Sequence, residues 1–465
     1  MLSILFIIVF IISILLYKVN ILLLASIFML AFSIYAYIYD IKKSNNIVNL
    51  RALYSLGFVG SFGLTYLKLS NLSLDYNYKF FIVIFLAIVG FYISYEMTMK
   101  YSIKHQINNP VINYARDGVA NNVNIITNRD LVSITNFVYR VMLFTMTISF
   151  VAFIIEASIL KFVPLFVKDV PHAYSTFHIF MLHYVTTFYI FVPCIAIMYL
   201  YYELKSKHVT SIIKARVIIS ILYAVVMSTL LVSRGQLLMS MLMCFFMFAI
   251  LFLNNYKISK SSVYEFIKRH LKVICFIISG MVALYLVISI RRSHSVSYLN
   301  DIFDMKNKNM PIYITQPYMY LTEGFENLNY MIEKLTNFTF GKRTFKPLFT
   351  LTFMDKLFYF DFIYEQFILK TELTNMTIFY DAYFDFAYAG VLTLAVILGY
   401  VSARLQIYIK TEDNKYNIYM YKNPIGLLFY VLVAYYLIMS FFQPFFSLAS
   451  STVYILYIVV LYMLF

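Results

Sequence analysis

Arginines at the ends of apolar segments are the residues in this chain best suited to chemistry. Arg234 joins two apolar segments directly, and Arg291 and Arg292 immediately follow a third. Charge at such depth in a membrane is costly. The guanidinium presents a planar fork of donors that suits phosphate oxygens. We therefore predict that these arginines, with Arg343 in a later polar stretch, bind an anionic ligand. Arginines that only cap helices are the alternative.

Four carboxylates and one histidine are candidates for a general base. Glu323 and Glu326 are three residues apart, so they share one face if that segment is helical. Asp381 and Asp385 are four apart, where the chain enters an apolar segment, and His294 lies two residues after an arginine. Any of these groups could accept a proton, and a solvated loop charge is the alternative for each.

Two further histidines lie inside an apolar segment. His178 and His183 are expected to be buried, hydrogen-bonded structural residues, with a proton relay as the less favoured reading.

The motifs of nucleotide, metal and redox chemistry are absent from the sequence. It contains no phosphate-binding loop, no dinucleotide fingerprint, no His-Glu-x-x-His and no Cys-x-x-Cys. The three cysteines lie in apolar stretches, which gives no thiolate metal site or disulfide framework. We expect no metal and no cofactor, and a protein that uses an activated substrate or a gradient.

Composition limits the class of protein. Of the 465 residues, 62% are hydrophobic and 13% are charged, against about 45–50% and about 25% in soluble domains. So few charged residues could not cover the surface of a soluble enzyme, and the apolar content excludes a disordered chain. A nucleic-acid-binding protein is excluded because the net charge of +15 is scattered between apolar runs and forms no basic face. The composition predicts an all-α polytopic membrane protein.

About twelve segments are long and apolar enough to be spanning helices, for which about 20 residues are needed. They are 2–17, 19–38, 52–69, 79–98, 136–157, 175–201, 217–233, 236–253, 272–290, 384–403, 425–445 and 449–465.

The distribution of Lys and Arg orients these segments. Twenty-one of them fall in five alternate short connections, against six in the other short connections, so the first set is predicted to be cytoplasmic, as are both termini. This divides the chain into helices 1–9 over 1–290, a large outer loop over 291–383, and helices 10–12 over 384–465. We expect a helical cap in the loop, with Leu351–Leu369 lying at the interface, because four charges oppose a lipid-facing span.

Several short motifs, in this order and topology, resemble the O-antigen or oligosaccharide repeat-unit polymerases of the Wzy type. They are Ser233-Arg234-Gly235, the later Arg291, the Phe-Val-Pro-Leu-Phe run at 162–166, and the segment from Asn375 to Gly390. Family members often carry Gly directly after the Asp-Phe pair, where this chain has Ala387.

The resemblance implies a GT-C-like membrane glycosyltransferase that joins undecaprenyl-pyrophosphate-linked oligosaccharides at the outer face of the bacterial inner membrane. The product would be an O-antigen, a capsule or an exopolysaccharide, and membrane lipids, a chain-length regulator and a flippase would be the partners. An O-antigen ligase shares this architecture, and a lipid-linked oligosaccharide flippase is the competing class.

The same resemblance implies roles for the candidate residues. Arg234, Arg291, Arg292 and Arg343 would bind the substrate pyrophosphate, and no metal would be needed. A carboxylate or His294 would take the proton of the attacking hydroxyl, with His294, Asp385 and Glu323 as the candidates.

The predicted orientation can be tested with single cysteines. Cysteines at positions 43, 206 and 259 should be shielded from an impermeant thiol reagent in intact cells, and cysteines at 308 and 342 should react. Labelling at 206 would reverse the orientation and move the outer face.

Overall fold

The computed structural model describes residues 2–108, 128–167, 176–206, 210–253, 300–357, 366–409 and 423–464. Of the described residues, 78% lie in helices, and this part of the chain contains one isolated β-bridge, between Ser70 and Met305. Within the ranges just given, seven helices are long and apolar enough to cross a membrane. This is the architecture of a multi-pass membrane protein, as the composition predicts.

The helices are numbered here in chain order, with their bounds. They are α1 (Leu2–Lys18), α2 (Leu22–Ser44), α3 (Leu50–Tyr54), α4 (Gly60–Thr65), α5 (Tyr78–Asn108), α6 (Asn128–Leu160), α7 (Leu182–Thr186), α8 (Val192–Lys205), α9 (Ser211–Leu230), α10 (Arg234–Phe248), α11 (Ile312–Lys334), α12 (Lys346–Leu351), α13 (Met354–Leu357), α14 (Tyr380–Ile409), α15 (Pro424–Ile438) and α16 (Ala449–Leu464). A π-helical turn (Ser55–Val59) joins α3 to α4, and a 3₁₀ turn (Thr187–Phe191) joins α7 to α8.

Not all twelve predicted spans are seen as long helices. The helices α1, α15 and α16 are apolar but have 10–17 residues. The predicted span 52–69 contains a π-helical turn and ends as a helix at Thr65, and 272–290 lies outside the described residues. The number of spans and the orientation therefore remain predictions.

The sixth predicted segment begins later than the sequence indicates. The chain from 178 to 180 is not helical, Met181 has φ +65°, and helix α7 starts only at Leu182. The Ile179 N–H donates to the carboxylate of Glu156 rather than to a helical carbonyl. His178 therefore lies before the helix, and His183 lies in its first turn.

The chain divides by packing into two compact units. Unit 1 comprises residues 1–121, 295–410 and 436–452, and unit 2 comprises 122–294, 411–435 and 453–465. The described part of the predicted outer loop therefore packs with the N-terminal helices and α14 in unit 1.

The pair α5 and α14 forms the main helix–helix contact of unit 1. A Cβ at Gly399 would lie 2.4 Å from the Phe91 carbonyl oxygen, so only glycine permits this backbone approach. The hydroxyl of Ser94 donates to the Val396 carbonyl at 2.7 Å across the same contact.

Helix α11 is buried within unit 1. The ring of Phe325 packs against Phe58 and Phe62, with centroid distances of 5.0 and 5.8 Å. The exposed Glu333 and Lys334 at its end contrast with the buried residues of its middle turns. Helix α11 therefore anchors the described part of the predicted outer loop to α4 and to the π-helical turn before it.

Helix α14 is interrupted six residues after its start. Phe386 and Ala387 leave the helical region, and Ala387 adopts φ +49° and ψ −137°. The break folds the first turns back so closely that a Cβ at Gly390 would lie 2.0 Å from the Ala382 carbonyl oxygen. An L-residue in such a conformation costs about 1–3 kcal/mol. Position 387 is therefore one that glycine suits.

Two tyrosines of α16 connect this helix to other elements of unit 2 by hydrogen bonds and ring stacking. Tyr457 hydrogen-bonds Thr145 of α6, and its ring stacks on Phe188 at 4.3 Å. The hydroxyl of Tyr454 donates to Thr187 at 2.9 Å. These bonds satisfy polar groups that an apolar bundle could not otherwise solvate.

The strained alanine predicts a stabilising substitution. Ala387→Gly should stabilise the protein by about 1 kcal/mol, because relief of backbone strain exceeds the entropy gained by the unfolded chain. Thermal unfolding of purified protein measures it. Ala389→Gly, at an exposed helical position two residues on, is the control and should lower the stability by about 0.5–1 kcal/mol. An equal loss of stability in both variants would contradict the backbone strain at Ala387.

Candidate functional site

Arg343 is held rigidly in unit 1. Its Nε donates to Asp381 at 2.6 Å, and its guanidinium carbon lies 4.3 Å from the ring centroid of Phe384 and 5.6 Å from that of Tyr380. A cation over an aromatic face gains electrostatic energy, more so when desolvated. The side chain is 8% exposed. The predicted anion-binding arginine is thus a preorganised, nearly buried cation.

Asp385 organises the loop that carries Arg343. Its carboxylate accepts the backbone N–H groups of Arg343 at 3.2 Å and Thr344 at 2.7 Å, and the hydroxyl of Thr339. The side chain is fully buried. Three donors on one carboxylate give Asp385 a positioning role in the structure, whereas its proton-accepting role remains a prediction.

An aromatic pocket adjoins this loop. Its volume is about 360 Å³. It is lined by Phe338, Thr339, Phe340, Gly341, Lys342, Phe345 and Phe349. Because Gly341 has φ +93°, a region that glycine occupies at no steric cost, the chain turns sharply here and places Lys342 at the pocket.

Three cations occur within five residues of this loop. Lys342, Arg343 and Lys346 are all on the segment that Asp385 anchors. Partial burial and the positive charge of Arg343 lower the pKa of the Lys346 ammonium, and Asp381 opposes this effect. An anion at this loop would relieve the repulsion between the cations.

The two glutamates of α11 are buried, not solvated. Glu323 accepts the backbone N–H and the side-chain amide of Asn375, both at 2.8 Å, and Glu326 accepts the hydroxyl of Tyr76. Burial raises the pKa of each carboxyl group to about 7. Both can exchange protons near neutral pH, and Glu323 also ties α11 to the chain that leads into α14.

Arg234 lies at the N-terminus of α10 in unit 2. It is half-buried, and the turn before it is packed because Val232 and Leu237 contact Leu165. The hydroxyl of Tyr189 donates to Gln236 at 2.7 Å. A guanidinium beside the positive end of a helix dipole favours an anionic ligand.

Unit 2 also contains a group that sequence reasoning undervalued. Glu156 is fully buried and accepts hydrogen bonds from the Ile179 N–H at 2.9 Å, the Thr186 hydroxyl at 2.9 Å and His183 Nδ1 at 3.1 Å. His183 is hydrogen-bonded, as the sequence predicts, but it is only partly buried and His178 is exposed, so the prediction that both are buried is wrong. The available signal was a carboxylate and a histidine, 27 residues apart, at the same predicted end of two consecutive apolar segments.

The remaining candidates fall outside the description. Arg291, Arg292 and His294 lie outside the described residues. Within the described ranges, no three His, Cys, Asp or Glu residues come together as a ligand set for a metal ion. Arg343 lies in unit 1 and Arg234 lies in unit 2, so each arginine is considered with the residues of its own unit.

The raised pKa of Glu323 predicts a pH-dependent stability. Its pKa is about 7 in the folded chain and about 4.3 in an unfolded one, so the folded state binds more protons between these values. This contribution to stability is present below about pH 4.3 and is lost as pH rises through about 7. Thermal unfolding at pH 5 and pH 8 should show a smaller difference in Glu323→Gln than in the wild type. Glu333→Gln, at an exposed position in the same helix, should retain the wild-type difference between pH 5 and pH 8. A smaller difference in Glu333→Gln would contradict the assignment of this pH dependence to Glu323.

Comparison with known proteins adds no relative: no family model, no curated protein and no solved structure matches this chain.

Proposed function

We propose that this protein is a membrane glycosyltransferase that polymerises undecaprenyl-pyrophosphate-linked oligosaccharide repeat units. It would act at the outer face of the bacterial inner membrane, in the synthesis of an O-antigen, a capsule or an exopolysaccharide. The observation that carries the proposal is the Arg343 loop, in which a cation is held between Asp381 and two aromatic rings. The resemblance of the Asn375–Gly390 segment to Wzy-type polymerases supports it.

The loop chemistry fits a lipid pyrophosphate. Three cations within five residues match a dianionic group better than a neutral sugar. The adjoining pocket contains four phenylalanines, and Phe340 and Phe345 are also exposed. Clustered exposed aromatic groups suit an apolar ligand or a membrane surface. A ligand with an anionic head and an apolar tail satisfies both features.

The same arrangement favours transfer over binding alone. When the anomeric carbon leaves its pyrophosphate, negative charge grows on the departing oxygens. A cation already fixed by Asp381 and Phe384 needs no reorganisation to meet that charge, so it stabilises the transition state more than the ground state. Arg234, Arg291 and Arg292 are proposed to act on pyrophosphate in the same way, and a chain-length regulator and a flippase are the proposed partners.

Substitution of Arg343 tests the site. Arg343→Ala should lower the rate of polymer formation by about 10²–10³, the usual cost of one charge-stabilising group, while the protein still accumulates in membranes. Arg343→Lys should recover little, because a point charge lacks the planar donor fork. The measurement is the ladder of products formed by purified protein from lipid-linked repeat units.

Arg216→Ala is the matched control. Arg216 also stacks on an aromatic ring, with its guanidinium carbon 4.6 Å from the centroid of Tyr139, but it lies in a predicted cytoplasmic connection. Its ladder should match the wild type. A normal ladder from Arg343→Ala would remove this arginine from the mechanism.

The assay separates the alternatives. A product ladder identifies a polymerase, and a single transfer to lipid A core identifies an O-antigen ligase. Movement of lipid-linked oligosaccharide across a vesicle membrane without change in length identifies a flippase. A flippase needs polar groups along the bilayer midplane, whereas the apolar segments of this sequence are almost free of charge there.

A further inference from the structure

The buried carboxylate of Glu156 lies within a helix that is apolar enough to span a membrane. An uncompensated carboxylate there would be very costly. The structure compensates it with three donors: a backbone N–H, the Thr186 hydroxyl and the His183 ring nitrogen. The backbone donor belongs to the non-helical segment before α7, so forming this site delays the start of that helix.

The carboxylate selects the tautomer of His183. Both carboxylate oxygens lie near Nδ1, at 3.1 and 3.2 Å, so Nδ1 carries the hydrogen and donates. In a neutral imidazole the other nitrogen, Nε2, then has the lone pair. The ring is held by the edge of Phe177 at 6.3 Å and lies 5.2 Å from the ring of His178. It is 17% exposed, so the site is not sealed.

His183 lies at the same end of unit 2 as Arg234. Helix α6 ends at Leu160 before α7 begins, and α9 ends just before Arg234 begins α10. Phe162 packs on Phe177, which contacts His183, and Leu165 three residues on packs against the turn that carries Arg234. One short stretch of chain thus connects the two groups.

We propose that His183 is the general base for a substrate whose pyrophosphate Arg234 binds within unit 2, and that Glu156 positions it. This inference rests on the proposed function. The lone pair of Nε2 takes the proton from the acceptor sugar hydroxyl as that oxygen bonds to the anomeric carbon of the donor. The bond from that carbon to the pyrophosphate breaks, and its electron pair leaves with the pyrophosphate. The imidazolium is stabilised by Glu156 and returns its proton to solvent, so charge and atoms balance.

A purely structural clasp between α6 and the segment before α7 would use the same hydrogen bonds. His183→Asn separates the two roles, because the asparagine amide can replace the Nδ1 donor but offers nothing at the position of Nε2. The substrate would be lipid-linked repeat units extracted from membranes of the source bacterium, and the enzyme would be the full chain in lipid nanodiscs. The base predicts a loss of about 10²–10⁴ in rate with unchanged thermal stability.

The pH profile distinguishes a base from a clasp. The wild-type rate should rise with pH as one group loses its proton. His183→Asn should lack this rising part of the pH profile, called the pH limb below. The titratable groups in contact with the ring, within the described residues, are Glu156 from α6 and His178 from the segment before α7. His178→Asn is therefore the matched control, and it should keep the rate and the limb.

A chemical probe gives a readout that does not depend on substrate. Diethyl pyrocarbonate acylates a neutral, accessible imidazole nitrogen, and mass spectrometry should find His183 modified in the folded wild type.

Thr186→Val removes one donor to the carboxylate but leaves the base, so it should lower stability and retain the pH limb.

The outcomes separate the two proposals. A wild-type ladder together with full activity in His183→Asn overturns the base and leaves the polymerase standing. A limb that disappears only in His178→Asn or His294→Asn also overturns it. The absence of any ladder from the wild type overturns the proposed function itself.

Discussion

Each buried arginine and carboxylate within the described residues is met by an opposite charge or by hydrogen-bond donors, and the described structure is organised around that constraint. Arg51 forms two hydrogen bonds to Asp40, at 2.6 and 2.8 Å, and a third to Glu96 at 3.0 Å. Arg343 pairs with Asp381 in the same manner. Removing one partner of such a pair costs about 3–5 kcal/mol, because the other charge is left uncompensated. Since the partners come from separate elements, each pair also fixes where those elements lie.

Asp385 shows how pairing produces a site. Its position is set by the interrupted start of α14, and its carboxylate in turn collects the N–H groups of Arg343 and Thr344. The strain at Ala387 is the cost of that arrangement. In a regular helix the first turns of α14 would not fold back at Ala387. We therefore infer that the strained backbone at Ala387 helps to place Asp385 where it holds the arginine loop.

The two units use buried acids differently. In unit 1, Glu323 and Glu326 have no cation hydrogen-bonded to them in the described structure, and burial raises their pKa values to about 7. In unit 2, Glu156 is surrounded by three donors and sets the tautomer of a histidine. Burial therefore dominates the behaviour of the two glutamates of α11, whereas Glu156 joins α6 to the segment before α7 and to α7 by hydrogen bonds.

The sequence by itself determined the class of the protein and its helical segments. Apolar runs and the scarcity of charge predict a multi-pass helical membrane protein, because a chain in lipid has to satisfy its backbone groups internally. The arginines were also recognisable, since Arg234 interrupts an apolar pattern and Arg343 lies beside Lys342 in the long polar segment. Only the tertiary structure decided which charges meet. The pairing of Arg343 with Asp381, and of Glu156 with His183, spans 38 and 27 residues, and periodicity carries no information about such contacts. The late start of α7 and the break at Ala387 depend on side chains that bind distant backbone, which overrides local helix propensity.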